Sequence, residues 1–261
     1  MDQMHLLDYL PIWIVYLLTI GLGLFAVELG FRLGSYWKQR HPEEQESHIG
    51  AMIYATFSLW AFLLAFLVGI SVNRFDERRM LVIEEANSIG TTYLRAGYLP
   101  EPYADQSRVL LREYADERLK IVEVNTYTAA RERSEEIQPK LWAIAQILAS
   151  AQPEKPVLAL YIESLNQIID LHSLRMTALT SARIPFTIYI GMYLVAMLGL
   201  IMLGFQSGIS GTRDLIVTIV LILIFSSVML LIIDLDRPWG GLLRVNQQPM
   251  INLIRSFANY N

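Results

Sequence analysis

The sequence predicts an all-α integral membrane protein, with four transmembrane helices and a helical cytoplasmic region between the second and the third. Three observations lead there. Four uncharged, strongly apolar stretches run Tyr9 to Val27, Ile49 to Val72, Ile184 to Thr212 and Leu215 to Ile233, each long enough to cross a hydrocarbon core of roughly 30 Å as a helix. They lie in two pairs around a charged middle stretch, so that of 261 residues the 54% that are hydrophobic concentrate in the spans. The middle stretch carries helical spacing and no alternating strand pattern.

Taken in order, the first apolar stretch stays in the mature protein, because Met1 to Tyr9 holds no Lys or Arg and no small-residue cleavage site follows the run. At its end Glu28 and Arg32 stand four positions apart, where they meet on one helix face as an interfacial ion pair with Glu28 buried against another helix. An ionisable group this close to hydrocarbon is also a functional candidate. Gly30 and Gly34 have the small-xxx-small spacing that lets two helices approach closely.

The second stretch divides into two lines. Ser58, Ala61, Ala65 and Gly69 are small and suit tight helix packing, whereas Leu59, Phe62, Phe66 and Asn73 follow a neighbouring line. Apolar side chains of that second line, repeated around several subunits, form a ring that gates by dewetting, and Asn73 with Arg74 opens it into a polar mouth. In a single chain the same phenylalanines also suit lipid or a neighbouring helix. Directly afterwards Phe75, Val82, Ile89 and Ala96 recur at seven-residue intervals, which extends the span into one continuous rod packed on a neighbour.

Pro100 and Pro102 end the rod, and Asp105 to Glu123 forms the next helix with Leu111, Ala115, Leu119 and Val122 inward. Ile137, Leu141, Ile144 and Leu148 mark another helical face. Beyond the break at Pro153 and Pro156, so do Leu158, Ile162, Leu165, Ile169, His172, Met176 and Leu179. His172, on that apolar face, reads as a packing residue rather than a ligand. Pro185 marks a change of direction before the third span. The expected organisation is therefore 1–73 for the first two spans, 74–183 for the cytoplasmic helices, 184–235 for the last two spans and 236–261 for a cytoplasmic tail.

Composition narrows the chemistry. Cysteine is absent, which removes disulfides, thiolate nucleophiles and Cys-built metal sites. The net charge is −4, and the middle stretch mixes both signs with no basic patch for nucleic acid. No phosphate-cradling Gly-rich loop or nucleophile elbow occurs, and His5, His41, His48 and His172 are too scattered for a helix-borne metal pair. No catalytic residue, metal site or cofactor is expected. Four spans put both termini and the middle stretch on one side, with Arg74, Arg78, Arg79, Arg175, Arg183, Arg237, Arg244 and Arg255 near the span ends. The other side has Arg32, Lys38, Arg40 and Arg213. Basic side chains favour the cytoplasmic face, which assigns the middle stretch and both termini there.

Two charge clusters leave the spans on that face: Asn73 to Arg79, and Asp234-Leu235-Asp236-Arg237-Pro238. Asp234 and Asp236 are the natural partners of Arg74, Arg78 or Arg79, in a latch that fixes one helix end against another. Glu84 and Glu85, further along the rod, read as a solvated or subunit-contact face.

These clusters carry a resemblance. The run Asn73-Arg74-Phe75-Asp76-Glu77-Arg78-Arg79, then Glu84-Glu85-Ala86-Asn87-Ser88-Ile89-Gly90-Thr91, and the tail Asp234-Leu235-Asp236-Arg237-Pro238 with Gly240-Gly241-Leu242 and Val245, resemble the bacterial bestrophin-like domain membrane family. More distantly the layout is similar to that of bestrophins, pentameric ion channels with four spans per subunit, cytoplasmic termini and a pore lined by the second span under an apolar neck. The bestrophin neck sequence is absent, so Phe62 and Phe66 match it by position only, and the calcium-binding acidic run of animal bestrophins is not found after the fourth span. The resemblance implies a homo-oligomer, a pentamer by analogy, in the bacterial inner membrane, with lipid and inorganic ions as its partners. The alternative is a non-conducting membrane scaffold or sensor whose cytoplasmic helices bind a partner.

Overall fold

The computed structural model describes residues 10–41, 49–123, 125–152 and 154–260. Tyr9, His5, His48 and Pro153, each read in the sequence, lie outside the described residues. Four helices are long and apolar enough to span a membrane: α1 (Ile12–Arg40), α2 (Ile49–Ala96), α6 (Phe186–Ser210) and α7 (Leu215–Asp236). Between α2 and α6 run α3 (Tyr103–Lys120), α4 (Tyr127–Ala151) and α5 (Pro156–Thr180); α8 (Gln248–Ser256) and a 3₁₀ turn (Phe257–Tyr260) follow the last span.

The rod expected from the seven-residue spacing is real. Helix α2 runs 48 residues without interruption, about 70 Å at 1.5 Å per residue, so its first half crosses the bilayer and its second half becomes the central post of the membrane-distal helices. Val82, Ile89 and Ala96 are buried along it, and Phe75 is half-buried. The periodic faces of the other helices point inward as well: Ile137, Leu141, Ile144 and Leu148 from α4, and Leu158, Leu165 and Leu179 from α5, are all buried. Proline at the first turn of α5 and just before α6 sets where those helices start, since its missing N–H is no loss there.

Two cores result. One lies among the spans, with Trp60, Leu64 and Leu67 of α2 against Tyr189, Met192 and Ala196 of α6 and Phe225, Met229 and Ile232 of α7. The other joins α2 to α3, α4, α5 and α8 around Ile89, Tyr93, Leu111, Leu141 and Leu165. The chain after the last span folds back onto this second core. Met250 is fully buried there, and Phe257 packs against Tyr93 with the rings tilted by 30° and their centroids 4.3 Å apart.

Lipid cannot drive apolar helices together, so close approach of backbones decides the span packing. Helices α1 and α6 approach most closely. A Cβ added at Gly30 or Gly34 would run into the backbone at Ile201 or Phe205, and one added at Gly204 or Gly208 would run into the backbone at Val27 or Phe31. The glycine pair read in the first span thus meets a second pair, Gly204 and Gly208, at the same spacing on the third.

Candidate functional site

The uncovered side of α2 is the candidate site, and it is built by exclusion. Ile53, Trp60, Leu64, Leu67, Ser71 and Arg78 lie on the face that packs within the chain, and all are buried. About 180° round the helix the surface has no cover from this chain. Leu59, Phe62 and Phe66 are exposed there, the two rings at 69% and 66%, and Asn73, Asp76, Asn87 and Thr91 continue the same side beyond the span.

The small line, Ser58, Ala61, Ala65 and Gly69, does not form a helix contact within the chain. All four residues are exposed, and nothing lies within 4 Å of a Cβ placed on Gly69. The intrachain contact uses the large side chains instead, and the small line shares the open side with Phe62 and Phe66. On α6 and α7 the outward surfaces carry mostly bulky aliphatic side chains such as Leu194, Leu198, Ile216, Val217 and Ile224, whereas α1 exposes Trp13, Gly21 and Phe25. A line of four small residues beside two aromatic rings distinguishes the open side of α2 from α6 and α7.

Where α2 passes the end of α7, the charge clusters meet in a pattern other than the one the sequence suggested. Asp234 accepts from the backbone N–H of Leu242 and of Leu243, both at 2.9 Å, and so fixes the turn after the span. Gly240 and Gly241 in that turn have φ of 76° and 78°, in the region glycine adopts most easily, and a Cβ at Gly241 would strike the Asp234 carboxylate. Asp236 accepts from the N–H of Ile184 at 3.1 Å and pairs with Arg183 at 3.7 Å. Neither aspartate comes within ion-pair distance of Arg74, Arg78 or Arg79, although the charge of Asp236 acts on the Arg78 guanidinium. Arg78 donates to the carbonyl of Leu235, one of the orphan acceptors at a helix C-terminus, where a positive charge is also favoured by the dipole. Arg79 lies 100° further round α2 and pairs with Asp76 on the exposed side at 3.7 Å. Arg74 is half-buried, and Arg237, just past α7, is buried.

Glu28 and Arg32 form the expected pair at 2.8 Å. Arg213, from the turn between α6 and α7, joins it at 3.2 Å and lies 3.7 Å over the Phe31 ring. Glu28 is not buried against another helix; its side chain stays 40% exposed. The triad ties the α1 end to the α6–α7 turn on the membrane surface.

Sequence reasoning missed a buried ionic cluster below the span junction. Glu85, expected on a solvated face, has no exposure at all. Its two oxygens take Arg118 of α3 at 2.6 Å and Arg175 of α5. Arg175 also donates to Gln247 at 3.0 Å, and Arg118 lies 3.2 Å from Nδ1 of His172. Burial and the charge of Arg118 push His172 down to about 4, so the ring is neutral near pH 7. Burial opposes the charge on Arg118, and Glu85 more than restores it, holding that guanidinium above its ordinary value. The available signal was positional. Arg118 is seven residues on from Leu111 and three from Ala115, and Arg175 three from His172, so each basic side chain falls on an inward face.

Four spans and a helical extension carried on a continuous second-span helix define the class, an all-α integral membrane protein. The bestrophin-like domain matches residues 20–250, and the chain belongs to that family. No curated protein sequence matches it. Among solved structures, a bacterial bestrophin homologue from Klebsiella pneumoniae is 17% identical with a TM-score of 0.66, over 95% of this chain and 97% of that one. A point variant described by the same words is 16% identical with a TM-score of 0.67, over 95% and 98%. A variant of a membrane protein reaches 0.70 at 16% identity, over 95% and 97%. At such identities the likeness is one of fold.

Proposed function

We propose that the chain forms a homo-oligomeric ion channel of the bacterial inner membrane, with α2 of each subunit around the axis and both termini and the α3–α5 helices cytoplasmic. One observation carries this reading: α2 has a single side that its own chain leaves uncovered from end to end, small and aromatic within the bilayer and polar beyond it. Small residues let neighbouring copies approach. Phe62 and Phe66 then narrow the axis into an apolar constriction that blocks ions by dewetting, with Leu59 at its outer edge and Asn73 at the polar mouth. Membership of the bestrophin-like family supports the same assembly, with five subunits as the number the wider likeness suggests. The groups on the axis leave the permeant ion open.

Conductance of the purified oligomer in planar bilayers tests the proposal. Currents are expected, and replacing Phe62 and Phe66 by Ala is expected to raise open probability. Well-folded oligomers that stay silent to common anions and cations across pH and voltage would leave the scaffold reading in its place, and unchanged currents in the double variant would remove the two phenylalanines from the gate.

A further inference from the structure

Helix α5 is apolar on two faces, and its own chain covers only one of them. Leu158, Leu165, Ile168 and Leu179 are buried on the inward face. On the other side Leu160, Gln167, Leu171, Leu174 and Ala178 follow one another at seven, four, three and four residues, which places them in one stripe. Leu160 and Leu174 are 46% and 55% exposed, and Leu171 and Ala178 are half-buried. A helix with apolar residues on both sides needs cover on both. The outward surface of α4 differs, with Glu132, Glu136, Lys140 and Gln146 exposed and, among the described residues, Ile147 as its one exposed large apolar side chain.

The stripe borders the open side of α2. Met80 and Tyr98, about five and ten turns beyond Phe62, carry that side outward and are exposed. At one edge of it Arg95 donates to the carbonyl of Leu160 on α5. At the opposite edge a Cβ on Gly90 would meet Leu253 of α8 at 3.0 Å. Helix α2 therefore has α5 on one flank and α8 on the other. The two flanks differ in charge. The exposed charged side chains of α5 are Glu163 and Asp170, because Arg175 is buried on Glu85, and Glu84 of α2 is exposed on the same flank. From Trp239 onward the chain has Arg244 and Arg255, both exposed, and no acidic residue. Near α8, Arg79 is balanced by Asp76, and on α3 the half-buried Arg108 and Arg112 are balanced by the exposed Asp105 and Asp116.

Flanks of opposite charge fit each other and not themselves. A two-fold contact through α5 would set Glu163 and Asp170 against their own copies, whereas the α5 flank of one copy against the α8 flank of the next sets acids against bases. Apolar surface matches as well, since Leu94 and Tyr98 of α2 are exposed and Ile251 of α8 is half-buried toward that flank. From these observations we infer that a second copy of the chain covers the α5 stripe, in a head-to-tail contact between the α5 flank of one copy and the α8 flank of the next. A contact of this kind repeats around a ring instead of ending at a pair, and it keeps the open side of α2 on the inside. The inference rests on the reading that copies gather around α2, and it adds which surfaces meet and in which direction.

Because the chain has no cysteine, introduced thiols report the contact. Gln167→Cys lies on the α5 stripe and Asn252→Cys on α8; both positions are exposed, and neither change removes a charge. With helix centres 8–10 Å apart, α2 holds the two sites of one chain roughly 20 Å from each other, too far for a short bis-maleimide. The full-length protein in detergent is treated with that reagent, and its mass before treatment is read by light scattering. The double variant is expected to give a ladder that continues past dimer, and each single variant to stay largely monomeric on the gel. Adding Glu163→Lys with Asp170→Lys is expected to lower the cross-linked fraction about fivefold, and Arg255→Glu on top of these to recover it. A monomeric mass in light scattering removes the assembly and the contact together. An intact oligomer without a ladder overturns the contact alone. So do dimers from Gln167→Cys as abundant as those from the pair, or a yield that the charge reversal leaves unchanged. A ladder from oligomers that pass no current supports the contact and removes only the channel.

Discussion

Glu85 carries its charge on a side chain with no exposure to solvent, and two arginines from different helices close on it. Because α2, α3 and α5 each contribute one member, the cluster fixes the relative register of three helices that hydrophobic packing alone would let slide. His172 completes it as a neutral partner, facing Arg118 and Tyr114 from α3, with Glu135 of α4 at 3.8 Å on the other ring nitrogen and Arg175 and Glu85 nearby. Its folded value of about 4 lies below the ordinary 6.5, so the unfolded chain takes up the proton first as pH falls. Stability from this residue is full above about pH 6.5, declines between 6.5 and 4, and changes no further below 4. The loss across that window amounts to about 3 kcal/mol at most. Melting curves of the purified protein against pH are expected to show the decline, and His172→Gln is expected to flatten it. An acid slope of the same size in the variant would show that other groups carry it.

Among elements, the α1–α6 crossing rests on four glycines whose hydrogens lie where side chains would otherwise be, close enough for Cα–H···O contacts between backbones. Half of this crossing was legible in the sequence, since Gly30 and Gly34 have the helical spacing of a close contact. Gly204 and Gly208 have it too, but glycines are frequent in spans and only the pairing of helices selects these two. Space separates them from the others. Gly204→Ala must move a whole helix by pushing on the Val27 carbonyl, which costs about 1–3 kcal/mol. Gly21→Ala and Gly191→Ala meet nothing within 4 Å and gain helix propensity. Urea or thermal unfolding of the three variants should separate them cleanly, Gly204→Ala falling and the other two holding or rising; equal effects would mean that helix propensity, and not the crossing, governs the response.

At the scale of the molecule, the spans, the rod of α2 and the inward faces of α4 and α5 were readable because periodic burial leaves a periodic sequence. Glu85 and the arginines around it were not, since a charged side chain looks the same in a chain of letters whether water or a guanidinium receives it. The small line on α2 falls between these cases. Its composition signals a close contact, yet the chain itself supplies none, which leaves another copy as the natural partner. The absence of cysteine makes this directly testable, because any introduced thiol is the only one present. In membranes under oxidising conditions, Ala61→Cys and Ala65→Cys on the small line are expected to yield dimers well above the level at a control site, since thiols close to a ring of α2 helices meet their copies far more often than thiols away from it, within the roughly 7 Å between Cα atoms that a disulfide requires. Val220→Cys, on the bulky aliphatic outward surface of α7, is expected to stay monomeric. Dimer formation at Val220 equal to that at Ala61 and Ala65 would reflect random collision, and an absence of dimers at both alanines would place lipid, not a second subunit, against α2 and remove the central support for an axis lined by this helix.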